Sequence, residues 1–178
     1  PCAHHLYPDA LGFTLGSLPP STGATLSNNP GVAILLNVYS IQQLAWVGDV
    51  RGKWDVLPTN EWRGVPSGTR LSYTDGSMVT FGEPATNYTV TIATNVVSPG
   101  AIQINNPVTN YTFVGGMIGG NGTLTKSGAG SLTFVNTNLF SGVMTISNGT
   151  VNSCNGGSAG SIGCAVNNIT TLVFNRAN

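Results

Sequence analysis

From residue 89 onward the chain alternates in short bursts. An apolar residue, a polar one and usually a second apolar one recur as Val90-Thr-Ile92, Ile102-Gln-Ile104, Tyr111-Thr-Phe113, Leu124-Thr-Lys126, Leu132-Thr-Phe134, Met144-Thr-Ile146 and Leu172-Val-Phe174. Up to Met144 their first positions advance by 12, 9, 13, 8 and 12 residues, so every second triplet lies 21, 22, 21 and 20 residues further on. A strand puts alternate side chains on opposite faces, so each triplet aims two apolar groups one way and the Thr the other. A near-constant step holding two such strands predicts a coil stacked on itself, with inward ladders filling a narrow core. Gly115-Gly116, Gly119-Gly120, Gly128 and Gly130 mark the corners, where the backbone bends and a Cβ would collide. An antiparallel sandwich also suits regular short strands. The constant two-strand step favours a right-handed parallel β-helix.

Upstream the pattern changes twice. Residues 46–86 hold Trp46, Trp54 and Trp62 at spacings of eight, with nine of the twelve charged residues between Asp49 and Glu83. They read as a meander of short strands turning at Gly48, Pro58 and Asp75-Gly76, capping the coils of 87–178. Residues 1–45 carry one charge, Asp9, and one apolar patch over 32–39. This part reads as an extended segment whose Val32, Ile34, Leu36 and Val38 pair with a sheet edge, in trans if the module self-associates.

Composition supports an all-β chain. Charged residues are 7% of the 178, apolar residues 40%, and Gly numbers 24; Thr, Asn, Ser and Gly suit pleated surfaces and tight turns. Zero net charge and the lack of any basic cluster remove the footprint of a nucleic-acid binder. No apolar stretch approaches the roughly 18 residues of a membrane helix.

The segment from Gly119 to Val151 resembles the autotransporter-associated β-strand repeat, also called the passenger-associated transport repeat. Leu124, Lys126, Gly128, Gly130, Leu132, Asn138, Phe140, Gly142, Thr145, Ile146, Gly149 and Val151 occupy its key places, with Phe140 where Tyr is usual. Trp46 to Phe81 resembles the segment that opens such repeats in large secreted bacterial proteins, and Leu172 to Arg176 the start of another coil. The resemblance implies a β-helical stalk or passenger at the cell surface, either part of a longer protein or a processed chain. It implies no catalytic site, because the repeat is scaffold.

The candidate chemistry is sparse. Cys154 and Cys164 flank a Gly/Ser-rich stretch and could close an 11-residue ring in an oxidising compartment; Cys2 is then the odd thiol. His4, His5, Cys2 and Asp9 have metal-ligand types but lack the spacing of a structural site. Paired carboxylates for glycan cleavage are missing from 87–178, which contains no Asp or Glu, and no Ser-His-Asp set is indicated. Calcium, if bound at all, would be confined to Asp49, Asp55 and Asp75. Asn-x-Thr sequons at Asn87, Asn110, Asn121, Asn148 and Asn168 are no more than this composition predicts by chance. Trp46, Trp54 and Trp62 fit either a buried cap or a sugar-stacking platform. The expectation is a non-catalytic extracellular structural or adhesive module without cofactor or metal. Its partners would be copies of itself, cell-surface or matrix components, or glycans. A carbohydrate-binding module and, further off, a polysaccharide-cleaving enzyme are the alternatives.

Overall fold

The computed structural model describes residues 22–29, 33–154 and 161–175. They are strands and turns, and residues 42–178 form a unit separate from residues 1–41. The larger unit is a parallel β-solenoid of about four turns, three-sided in section.

The first side stacks β3 (Gln43–Trp46), β7 (Met78–Gly82), β9 (Ala101–Asn105), β11 (Thr123–Ser127), β14 (Met144–Ile146) and β17 (Val166–Asn168). All of these neighbours are parallel. The second side stacks β4 (Lys53–Trp54), β8 (Thr89–Val97), β10 (Tyr111–Ile118), β12 (Ser131–Phe134), β15 (Thr150–Ser153) and β18 (Thr171–Phe174), again in parallel. The third side is narrow. Val96 and Val97 of β8 pair with Met117 and Ile118 of β10, and β13 (Thr137–Asn138) pairs with β16 (Ser161–Ile162).

The register converts the sequence period into columns. Leu44, Val79, Ile102, Leu124, Met144 and Val166 lie over one another on the first side. Val90, Phe113, Phe134, Ser153 and Phe174 do so on the second. From Val79 the first column advances by 23, 22, 20 and 22 residues, close to the step read from the triplets. Apolar members from Leu44 to Val151 are buried in one continuous core. The outward positions, Thr80, Gln103, Thr125, Thr145 and Asn167, form a polar ladder on the first side.

Two boundaries differ from the sequence expectation. The Trp-rich segment is cap and coil together: its aromatics close the end of the core, while β3, β4 and β7 already pair in parallel with their neighbours. Its capping part is β5 (Trp62–Gly64) and β6 (Arg70–Leu71), which extend the first sheet antiparallel beyond β3. Residues 1–41 include not a single extended strand but a hairpin: β1 (Thr22–Asn29) is antiparallel to β2 (Ala33–Ser40), with Asn29 opposite Ala33.

Corners need glycine where coils approach closely. A Cβ on Gly116 would lie 1.8 Å from the Thr94 carbonyl oxygen of the coil below. Gly68, by contrast, has open space around its missing Cβ and only a left-handed φ of 69°. Gly116→Ala is therefore expected to lower stability by about 1–3 kcal/mol, the cost of forced overpacking. Gly68→Ala meets only the left-handed penalty of about 1 kcal/mol. Urea unfolding of both variants checks the order, and equal losses would contradict the close-stacking account.

Candidate functional site

Three groups of side chains could carry function: the aromatic cluster, the carboxylates and the corner between the first and second sides. The tryptophans of the cluster are interior. Trp46, Trp54 and Trp62 are 2%, 0% and 0% exposed. Trp62 meets Trp46 edge-on at 4.9 Å and Trp54 at 5.4 Å between ring centroids; Trp54 meets Tyr73 at 5.3 Å. Phe81 touches all three indoles and stacks towards Phe113 at 4.9 Å, which continues to Phe134 at 5.7 Å. A sugar-stacking platform needs an exposed ring face, so these residues do not form one; they close the end of the core. The Trp46 indole N–H donates to the Asn87 carbonyl at 2.9 Å, whereas those of Trp54 and Trp62 have no acceptor among the described residues.

The carboxylates are spent on backbone N–H groups, hydroxyls and one arginine. Asp49 forms a two-pronged ion pair with Arg70, which holds its carboxyl below the usual range. Buried Glu61 accepts the N–H groups of Val50 and Arg51. Buried Asp55 caps its own turn through Leu57 N–H at 3.2 Å and the Thr59 hydroxyl at 3.0 Å. Asp75 accepts the Tyr73 hydroxyl and the Ser98 N–H. Asp49, Asp55 and Asp75 thus serve three different turns. A groove of about 530 Å³ at the corner between second and third sides includes Asn95, Gly116, Met117 and Thr137 in its lining, with no titratable side chain.

The corner between first and second sides has a pattern of its own. Glu83 Oε1 accepts Val108 N–H at 2.9 Å and Thr109 N–H at 3.1 Å in the next coil, which lowers its pKa. Asn106 Nδ2 donates to Thr109 O at 2.6 Å and to Ser131 O, one coil on, at 3.0 Å. Lys126, fully buried, donates from Nζ to Ser127 O and Gly128 O at 2.7 Å, and to Asn148 O of the following coil at 3.2 Å. Its triplet placed it inward, opposite Ile104 and Ile146 in register; the sequence offered no sign of what it binds.

The remaining candidates fall apart spatially or lie elsewhere. Cys154 is buried and donates its N–H to Phe134 O. Cys164 is half-buried, and burial pushes its thiol pKa up. Cys2, His4, His5 and Asp9 lie outside the described residues, as does Val32. Ile34, Leu36 and Val38 sit on β2 opposite Asn28, Leu26 and Ala24, so the strand expected to pair in trans pairs within its own chain. Asn110, Asn121 and Asn148 are exposed between strands, Asn168 is exposed at the end of β17, and Asn87 is half-buried.

The twelve positions of the resemblance can now be placed. Leu124, Leu132, Ile146 and Val151 fill the core columns, and Phe140 is buried. Asn138 Oδ1 accepts Ile118 N–H on the third side at 3.0 Å. Gly128 and Gly149 turn the corner with φ of 79° each. Gly130 and Gly142 sit where a Cβ would come within 1.9 Å of Thr109 O and 2.1 Å of Gly122 O. Residues 124–152 match the family model of the passenger-associated-transport-repeat. The repeat covers the β11–β12–β13 coil and runs into the β14–β15 part of the next. Comparison with curated proteins and with solved structures finds no match.

Unfolding measurements test both the packed end and the buried amine. Trp62→Ala is expected to cost about 3–5 kcal/mol by cavity formation, read from denaturant unfolding; a loss under about 1 kcal/mol would contradict the packed end. Burial lowers the Lys126 pKa from 10.5 to about 8, so the folded chain binds fewer protons than the unfolded one between those values. The Lys126 contribution to stability therefore rises with pH from about 8 upward, opposed by the raised Cys164 thiol and, near 10, by the unfolded-state tyrosines. Lys126→Met should flatten that rise, measured by thermal unfolding at pH 7 to 9.5.

Proposed function

We propose that this chain is a non-catalytic structural module of a secreted or cell-surface passenger-type protein. The observation that carries this reading is the fate of the repeat's signature positions. Eleven of them build the coil as core, corner or inter-coil bond, and Thr145 joins the outward ladder. A sequence selected for catalysis or ligand capture would place some of its distinctive residues facing a cleft. The passenger family and the solenoid together support export, since the repeat is associated with passenger transport. The outward ladder of Thr, Gln and Asn leaves the first side polar and uncharged, which suits a spacer or coat. Self-association through the hairpin is the finer reading: β2 exposes Leu35 and Leu36, each at 55%, and its outer edge offers unpaired backbone to a second strand among the described residues.

The test is location and inertness together. Antibodies to residues 42–175 are expected to label intact, unpermeabilised producing cells or their medium. Purified chain is expected to leave polysaccharides uncleaved after long incubation. Label confined to the cell interior would overturn export, and accumulating sugar products would overturn the structural role. Light scattering of the full chain against one lacking residues 1–41 separates hairpin-driven association from a monomeric spacer.

A further inference from the structure

The corner at Lys126 is built like a cation site. Three carbonyl oxygens converge on one buried nitrogen, two at 2.7 Å and one at 3.2 Å. The side chain follows Phe81 and Ile104 in its column and precedes Ile146, so an apolar residue would satisfy the core there. The cavity for the nitrogen depends on a missing atom: a Cβ on Gly149 would stand 2.8 Å from Nζ and 2.4 Å from both Gly128 O and Gly130 O. Among the described residues no carboxylate pairs with the amine, whose partners are all carbonyls. Backbone dipoles alone meet the ammonium, offsetting part of the desolvation that lowers its pKa.

This corner lies where the solenoid core begins to weaken. Core side chains thin out beyond this coil: Ser153 succeeds Phe134 in its column, Val166 and Leu172 are only half-buried, and Phe174 is 65% exposed. Hydrophobic burial holds this end weakly, so a specific bond across the coil boundary has more of the register to decide.

We propose that this corner is a monovalent-cation site whose resident cation is the chain's own Lys126 ammonium, and that this ion registers β14 and β15 on the coil beneath. Emptied of its amine, the same carbonyl cage takes an ammonium ion from solution. Potassium, similar in size but without N–H donors, fits it less well. Tetramethylammonium, larger and lacking donors, does not enter.

The experiment uses the full chain at pH 7, with backbone hydrogen exchange across β14 and β15. Lys126→Ala is expected to speed exchange there by about ten- to a hundredfold, the loss of charge-assisted hydrogen bonds. Ammonium chloride is expected to restore most of the protection, and tetramethylammonium chloride at matched ionic strength none. No change in exchange on substitution, or equal recovery in both salts, overturns the proposal. Gly149→Ala fills the cage with a methyl group and should loosen the same segment without any response to ammonium; recovery there would also overturn it. Should Lys126→Ala fail to fold, nitrogen-edited NMR of the native chain decides: slowly exchanging Lys126 ammonium protons support the cage, and solvent-averaged ones refute it.

Discussion

Everything in the larger unit depends on coils stacking backbone on backbone, with parallel strands held about 4.8 Å apart by their hydrogen bonds. That spacing leaves no room for a side chain wherever a corner passes directly over the carbonyl of the coil below. Gly116, Gly130 and Gly142 each face a carbonyl oxygen within about 2.1 Å of their missing Cβ. The same spacing fixes one inward residue per column per coil. A narrow core of this kind has little volume to trade between layers, so column composition sets how well each coil is held.

The columns are graded. Trp46, Trp54, Trp62, Tyr73, Phe81, Tyr111 and Phe113 crowd the N-terminal coils, and β5–β6 cover the edge of β3 with an antiparallel pair. That arrangement answers the exposed-edge problem at one end through area and pairing together. Toward β17 and β18 the inward positions lose their cover: Leu172, Val166 and Ile162 are only partly buried and Phe174 is 65% exposed. Polar bonds reinforce the stack along one corner, in the aromatic-rich coils as well as beyond them. Glu83, Asn106 and Lys126 each reach from one coil to the backbone of the next at the same corner, an anion, an amide and a cation in succession. Each satisfies buried backbone groups that the turn itself leaves open.

This economy explains why the repeat's signature points to architecture. Lys126 and Asn138 would be candidate chemical groups on residue type alone. Both are fully buried and engaged with backbone, Lys126 with carbonyls and Asn138 with an N–H. The charged residues concentrated between Asp49 and Glu83 similarly serve turns, the Asp49–Arg70 pair and the first corner clip.

The sequence by itself determined the coil from Val90 onward, because alternation in strands and a constant step are local and repetitive properties. It also marked Gly128 and Gly130 as corners. An earlier coil was written there too, in Val79-Thr80-Phe81, 23 residues before Ile102, but the Trp-rich surroundings masked it. Only the tertiary structure decided the rest. The third side rests on pairs such as Val96-Val97 and Thr137-Asn138, too short for any period to register. Whether three tryptophans face sugar or core depends on which strands lie beside them, and β5, β7 and β10 enclose them. Lys126 is charged in sequence and buried in space because its carbonyl partners lie at Ser127, Gly128 and, a coil away, Asn148. Such convergence is a property of stacking, which no single stretch of chain contains.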